Sequence, residues 1–474
     1  MQSRDVIAAD RSPLEALGGA EDAAFVFDQI RSGSISTVIV GGSDLCGVFR
    51  AKRVPAERFA SSSEPSVEFS EYMWAMDIDE NALPRPDNFV GWWPSWATGF
   101  GDTVAVADLS SLRRVPWLER TAVALASFRF ADGRPYDVAP RNVLGRVIDR
   151  CEQLGLEPRF SPEYEFFIFR ETEQTAEQKA FRNLEPLSTQ AMAYGSLRAA
   201  IDTHIISQLT DALRVMRIPV EAWNPEGGPG QYELNLPHAD AMEAADRGFL
   251  FKQGVKEICA LNGLLATFMP KLTTGGFGSS LHVHQSLWRD GEPAFYDADD
   301  PHGMSPLMRQ FVAGQLRTLA EFAPIWLPWT VSYKRPRPHL AAGTTVTWGG
   351  DNKTLSLRVV AYEAHHCRVE HRVPGADANV YLALAAMLAG GLHGIENELE
   401  LPPPTTGDAY ENKDLELLPC TLESALDLFE QSEVANAYLG EDFVRRYAAM
   451  RRWEVEQARD EVTEWELRRY FVRG

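Results

Sequence analysis

Residues 161–170 read SPEYEFFIFR, a strand-like run in which Glu163 and Glu165 stand two positions apart. Side chains alternate faces along a strand, so the two carboxylates project side by side from one surface. Their mutual repulsion is costly unless positive charge lies between them. A divalent cation supplies that charge, and acidic and histidine groups further along the chain are available to complete its shell.

Three more segments carry chemistry-bearing residues in strand-like or turn positions. In Glu226–Glu233, EGGPGQYE, two glutamates bracket a Gly/Pro turn that folds one back towards the other. In Gly278–Ser286, GSSLHVHQS, His282 and His284 share one strand face. In Arg368–Arg372, RVEHR, Glu370 lies between two arginines. Taken singly, each is more often a solvated strand face, a simple turn or a surface ion-pair cluster. Together, five glutamates with one or two histidines suit a hard divalent ion such as Mg²⁺ or Mn²⁺, whereas zinc favours more nitrogen or sulfur. Arg335, Lys353, Arg358, Arg368 and Arg372 add the cationic groups that a transferring phosphoryl group needs. Two metals with arginines point to phosphoryl transfer.

Composition narrows the classes. The chain has 474 residues, 45% of them hydrophobic, enough for a large core and too many for one ordinary domain. With 46 basic against 67 acidic residues, its net charge of −21 argues against an electrostatic grip on nucleic acid or an anionic membrane. Cys46, Cys151, Cys259, Cys367 and Cys420 show no CxxC spacing and read as buried thiols of a reducing compartment. No basic–apolar–small cleavage pattern and no 18-residue apolar run occur, so a soluble cytoplasmic protein is expected. Neither GxxxxGK[ST] nor a GxGxxG following a strand is present, which leaves P-loop and Rossmann nucleotide binding unsupported.

Residues 1–15 read as a loose tail. Thr37–Val40, a turn at Gly41–Asp44 and Gly47–Arg50 read as strand, turn and strand. Residues 67–100, with Trp74, Trp92, Trp93 and Trp96 among prolines and glycines, read as an irregular aromatic loop region. A boundary is expected near residue 118, with a small β-rich domain before it and a large mixed domain, 119–474, after it. Helices are expected at 143–154, 206–216, 246–265 and 377–395, with a strand at 220–223. The charged stretch 434–473 reads as helical surface packing.

The order and spacing of PEYEFFIF, EGGPGQYELNL, GSSLHVHQSLW, VSYKR, DNKTLSLR, RVEHR and PGADANVYLALAAMLAGGLHGIENELE resemble the glutamine synthetase family over nearly the whole chain. The resemblance implies an α+β fold: an N-terminal β-grasp domain, then a large catalytic domain whose curved antiparallel sheet carries the site. It implies a double-ring dodecamer with active sites between neighbouring subunits. It places Glu165, Glu226 and Glu233 around one metal, and Glu163, His282 and Glu370 around another. His284, Ser286, Lys353 and Arg368 fall at positions that resemble ATP contacts. Arg335, Arg358 and Arg372, with the Gly278 backbone, fall where the carboxylate substrate and the transferred phosphate are gripped. The implied chemistry is phosphorylation of the glutamate γ-carboxylate by ATP, then attack of an amine on the acyl phosphate.

Three departures matter. Where ammonia-using members carry an aspartate in a VGFDGSS-like segment, this chain has Ser70, and a slip of one residue brings in Glu71. Where the family's flap glutamate of a PGYEAP-like loop takes a proton from ammonium, counting from Arg335 to Arg358 gives Ala341. Where an asparagine usually seats the α-amino end of glutamate, Phe277 precedes Gly278, so the amino acid is held differently or the acid is not glutamate. The persisting arginines favour glutamate. Losing two anionic groups enlarges the ammonium pocket and makes it less polar, and the chain is then most like γ-glutamyl amide and γ-glutamylamine synthetases. The four tryptophans are expected at an amine entrance for alkyl, aryl or hydroxyalkyl amines. Glu71, Asp77 and Asp79 keep polyamines open. The alternatives are an ordinary ammonia-dependent glutamine synthetase and a non-catalytic family member.

Overall fold

A computed structural model describes residues 22–87 and 89–473, and the expected loose tail at 1–15 lies outside them. Among the described residues, helices and strands are mixed in two sheets, consistent with an α+β fold.

The first sheet has six strands. Its path runs Phe49–Pro55, Thr37–Ser43, Thr121–Phe130, Asp102–Ala107, Ser66–Ser70, with the short Arg113–Arg114 pairing against Thr121–Phe130. Thr37–Ser43 and Thr121–Phe130 run parallel and the other pairs are antiparallel. Two expectations change here. Gly41 and Gly42 belong to the strand, because a Cβ at Gly41 would come 2.0 Å from the Arg50 carbonyl oxygen of its neighbour. The turn falls later, where Asp44 Oδ1 accepts from the amides of Cys46 and Val48, both at 2.9 Å. The sheet also runs past residue 118, since Thr121–Phe130 is the strand that joins its two halves.

The second sheet has ten strands and carries the candidate site. Its path runs Trp348–Gly350, Leu357–Val360, Arg368–His371, Leu281–Arg289, Glu157–Phe169, Gln231–Asn235, Ala222–Pro225. Every pair on that path is antiparallel except Trp348–Gly350 with Leu357–Val360. Alternation gives the sheet two unlike faces. Tyr164, Phe166, Tyr232, Leu234, Leu281, Val283 and Val369 are fully buried. The Tyr164 and Phe251 rings stack with centroids 5.2 Å apart, which packs this face against the helix Ala241–Leu261. Residues 163, 165, 233, 235, 282, 284, 358 and 370 share the opposite face by register.

The helix Val380–Glu396 is almost wholly buried, as its Ala/Leu-rich sequence predicts. It crosses Pro306–Thr318 at glycines, and a Cβ at Gly314 would lie 2.1 Å from the Gly390 carbonyl oxygen. The helix expected at 206–216 extends back to Ser196. Its first turns hide from a periodicity reading because Leu197 and Ile201 are exposed. The strand expected at 220–223 is Ala222–Pro225.

The C-terminal stretch is not merely surface packing. Within Glu441–Asp460, Arg446 donates to the Tyr136 hydroxyl at 3.1 Å and to the Trp92 carbonyl. Arg451 donates to the carbonyls of Leu45 and Pro328, with its guanidinium 4.0 Å above the Trp329 ring. Both arginines are buried, and they fasten the first part of the chain to the second. Of the five cysteines, all free, Cys420 departs from expectation by being exposed.

Candidate metal and phosphoryl-transfer site

Register assembles the polar face from segments far apart in sequence. Glu163 stands opposite His282 on one side and Asn235 on the other, while Glu165 stands opposite Glu233. One strand further, Glu370 stands opposite both His284 and Arg358. Residues directly opposite in an antiparallel pair have Cβ atoms about 4.5–5.5 Å apart, so these side chains meet as a consequence of pairing.

Glu163 Oε1 lies 3.1 Å from His282 Nδ1, and Glu163 Oε2 lies 3.6 Å from His284 Nε2. Glu370 Oε1 lies 3.8 Å from the same His282 Nδ1. Glu163, His282 and Glu370 each offer a ligand atom, all within 4.8 Å of one another. A cluster of two carboxylate oxygens and one ring nitrogen fits a divalent cation. His282 Nε2 is buried without a hydrogen-bond partner among the described residues.

Glu165, Glu226 and Glu233 form a second acidic group, less tightly drawn together. Glu165 Oε2 accepts from the Ser280 amide at 2.9 Å and from Gln231 Nε2 at 3.3 Å. Glu226 accepts from Asn224 Nδ2 at 3.1 Å and from the Gly227 amide at 2.9 Å. The electrostatics of the two groups differ. Burial would raise the Glu163 carboxyl, but the hydrogen bond with His282 and the His284 ring close by hold it well below its ordinary range. Burial likewise opposes the charge on Glu370, yet Arg372 and the two histidines bring it down to about 2. Glu233 goes the other way: burial, then the charges of Glu163, Glu165 and Glu226, push it up. Glu226 is raised by burial and by Glu165. Negative charge is compensated on one side of Glu163 and uncompensated on the other, and a divalent cation among Glu165, Glu226 and Glu233 would relieve the second group.

Arginines line the adjoining edge. Arg358 Nη1 reaches Glu370 Oε2 at 2.6 Å, and its Nε donates to Asp351 Oδ1 at 2.9 Å. Arg372 also pairs with Glu370. Arg335 is buried, donates to the Val373 carbonyl and lies beside Gly278, where a Cβ would come 2.5 Å from its Cγ. No larger residue fits at Gly278. Phe277 is partly exposed and turns its ring onto Gly227, where an added Cβ would lie 2.8 Å from two ring atoms. Arg368 Nε donates to His284 Nδ1 at 3.2 Å. Ser286 Oγ accepts from Trp288 Nε1 at 3.0 Å, and Lys353 is exposed beside Asp351.

The positions expected to shape the amine pocket divide. Ala341 sits at φ +54° on the strap between Arg335 and Arg358, and its carbonyl accepts from Arg372 Nη2 at 3.1 Å. Its methyl side chain offers no charge there. Ser70 belongs to the first sheet, where its hydroxyl donates to the Phe100 carbonyl at 3.2 Å. Glu71 beside it is buried, accepts from Trp92 Nε1 at 3.2 Å, and is raised by that burial. Trp92, Trp93 and Trp96 border a cavity of about 600 Å³, lined also by Leu83, Pro84 and Phe100. Trp74 does not join them: it is wholly buried and stacks on Tyr136 at 5.1 Å. Trp93 borders the cavity but is itself buried, with its Nε1 turned to the Leu83 carbonyl.

Sequence reasoning missed Gln231 and Asn235, which bond Glu165 and Glu163. The signal was present, since 231, 233 and 235 alternate onto one strand face. Asp351, the partner of Arg358, had no comparable signal.

Residues 137–470 match the family model for the glutamine synthetase catalytic domain. A glutamate–isopropylamine ligase of a Pseudomonas species is 36% identical over 450 residues, covering 94% of this chain and 97% of the relative. The γ-glutamylethanolamide synthetase GlnA4 of Streptomyces coelicolor is 38% identical over 467 residues, covering 98% and 97%. A solved structure described as a GmaS/ADP complex superposes with a TM-score of 0.82 at 28% identity, covering 94% of this chain and 99% of that one.

Proposed function

The chain belongs to the glutamine synthetase family, and from that premise we propose that it is an ATP-dependent carbon–nitrogen ligase joining the γ-carboxylate of glutamate to an organic amine. The observation that carries the choice of amine is Ala341, an uncharged side chain on the strap that Arg372 holds against the site. Relatives named for isopropylamine and ethanolamine, matched over nearly their whole length, support the same reading.

In this reading Glu163, His282 and Glu370 hold one divalent cation, Mg²⁺ or Mn²⁺, and Glu165, Glu226 and Glu233 hold the other. Such cations neutralise phosphate oxygens when bound. His284, Ser286, Lys353 and Arg368 contact the nucleotide. Arg335, Arg358 and Arg372 grip the glutamate carboxylate and the phosphoryl group, with the Gly278 backbone and Phe277 forming the wall beside them. Glutamate's γ-carboxylate takes the phosphoryl group from ATP, because an unactivated carboxylate is a poor acyl donor. The amine then displaces phosphate from the resulting γ-glutamyl phosphate. Buried arginines favour this step by holding a developing negative charge in a water-poor setting.

Two domains belong to the same proposal: an N-terminal β-grasp domain built on the six-stranded sheet, and a catalytic domain from about residue 137. The boundary then follows Phe130 instead of residue 118. Assembly into two stacked hexameric rings, with Ser70 and the tryptophan cavity offered to a neighbour's site, is supported by exposed Trp465, Phe471 and Val472 near the C-terminus. Among the described residues no helix is long and apolar enough to cross a membrane, and a cytoplasmic location is proposed with that in mind.

The experiment is direct. Purified protein with ATP, glutamate, a divalent cation and an alkylamine is expected to release ADP and phosphate and to form the γ-glutamyl amide, identified by mass. ADP release without amide, or none at all across alkyl, aryl, hydroxyalkyl and polyamines, would overturn the reading.

A further inference from the structure

An organic amine with an ordinary alkylammonium pKa must lose a proton before its nitrogen can attack, and Ala341 has no group to receive it. Two residues earlier on the same strap stands His339, at φ +60°. Its Nε2 lies 3.1 Å from Glu411 Oε1, and its Nδ1 lies 4.0 Å from Asp408 Oδ2. The ring also meets Tyr410 edge to face, with centroids 5.2 Å apart. Tyr410 donates its hydroxyl to the Ala342 carbonyl at 3.0 Å, so the segment carrying both carboxylates is tied to the strap itself. An imidazole held by Glu411 at one nitrogen, with the other beyond hydrogen-bond distance of Asp408, is the arrangement of an oriented general base.

Reach follows from covalent geometry. Positions 339 and 341 are two residues apart, so their Cα atoms are separated by at most about 7 Å. Ala341 is fixed to the site through Arg372, which pairs with Glu370. The His339 side chain is 59% exposed, which leaves it room to turn and a path for its proton to leave. The charged and titratable groups around it are Glu411, Asp408 and Tyr410 on the facing segment, Arg337 on its own strap and Arg372 at Ala341.

We propose that His339, oriented through Nε2 by Glu411, accepts at Nδ1, which lies beyond hydrogen-bond distance of Asp408, the first proton from the ammonium form of the amine substrate. The inference rests on the ligase reading above. One N–H proton passes from the ammonium to the imidazole and on to solvent. The freed lone pair forms the C–N bond as the bond from the acyl carbon to phosphate oxygen breaks. A second N–H proton leaves with the departing phosphate, and the amide keeps the third hydrogen.

Hydroxylamine and an alkylamine separate this role from a structural one, because hydroxylamine is largely neutral at neutral pH and has no such proton to lose. In His339→Ala and His339→Gln the ratio of alkylamide to γ-glutamyl hydroxamate formed is expected to fall at least tenfold, in line with the roughly 10²–10⁴-fold worth of general bases. The loss should appear in kcat for the alkylamine more than in its KM. It should shrink as pH rises, since the free-amine fraction grows roughly tenfold per unit below the amine pKa. Glu411→Gln, which keeps the imidazole and removes its partner, should give a smaller fall in the same ratio. An unchanged ratio in all three variants, or an equal loss with both nucleophiles at every pH, would overturn the proposal. If the unaltered enzyme formed no hydroxamate from ATP and glutamate, the ligase reading itself would fail first, and this inference with it.

Discussion

Glu163 and His282 stand directly opposite each other across two antiparallel strands, with Glu163 Oε1 3.1 Å from His282 Nδ1, although 119 residues separate them in sequence. Glu163 is also the carboxylate that adjoins both acidic groups, bonding His282 with His284 close by on one side and bonding Asn235 on the other. Its neutral isostere therefore tests both groups at once. Glu163→Gln is expected to lower metal-dependent amide formation at least 100-fold, roughly the cost of removing one preorganised electrostatic stabiliser from an active site. Far-UV circular dichroism should be unchanged. Activity within tenfold of the unaltered enzyme would remove Glu163 from the site.

The junction between the two sheets has its own test. Arg141 is buried and makes two hydrogen bonds to Asp246, at 3.0 and 2.9 Å, and one to Asp108 at 2.7 Å. Removing one partner of such a cluster leaves an uncompensated buried charge and costs about 3–5 kcal/mol. Arg141→Met should lower the urea midpoint accordingly. The double variant R141M/D246L should lose less, because it removes both buried charges and leaves only the part-exposed Asp108. Equal losses in the single and double variants would contradict this account.

Glu171 supplies a pH dependence away from the site. Hydrogen bonds from Lys179, the Glu185 amide and Thr175 hold its carboxyl down at about 2. The folded state therefore binds this proton less readily than the unfolded chain, whose glutamates titrate near about 4.3. The stabilisation is present above that value and is lost as pH falls from about 4.3 towards about 2. The difference in urea midpoint between the unaltered protein and Glu171→Gln should shrink over that interval and stay flat above pH 5. A difference constant down to pH 2 would show that the carboxylate carries no such linkage.

The chemistry of the site was legible because strands alternate. Glu163 with Glu165, and His282 with His284, needed only a period of two, and the Gly/Pro turn between Glu226 and Glu233 marked a hairpin. Periodicity alone did not give the pairing of Glu163 with His282, which only the family resemblance placed at one metal, because register is a long-range property fixed by burying Tyr164, Leu281 and Val283 on the far face. The misread features have the same origin. Thr121–Phe130 follows the composition change near residue 118, yet its parallel partner is Thr37–Ser43, far earlier in the chain. Arg446 and Arg451 look like surface charge, and only the fold shows the carbonyls and rings that receive them. Trp74 shared its composition window with Trp92 and Trp96, while its indole N–H is turned inward to Thr103.

The central claim is that the pocket left by Ala341 accepts an organic amine in preference to ammonium. Its most direct test is kcat/KM for ammonium against that for each of a panel of alkyl, aryl, hydroxyalkyl and polyamines, followed by ADP release with ATP, glutamate and Mg²⁺. At least one organic amine is expected to exceed ammonium tenfold or more. A higher kcat/KM for ammonium than for every amine in the panel would contradict the account and make the protein an ordinary ammonia-dependent glutamine synthetase.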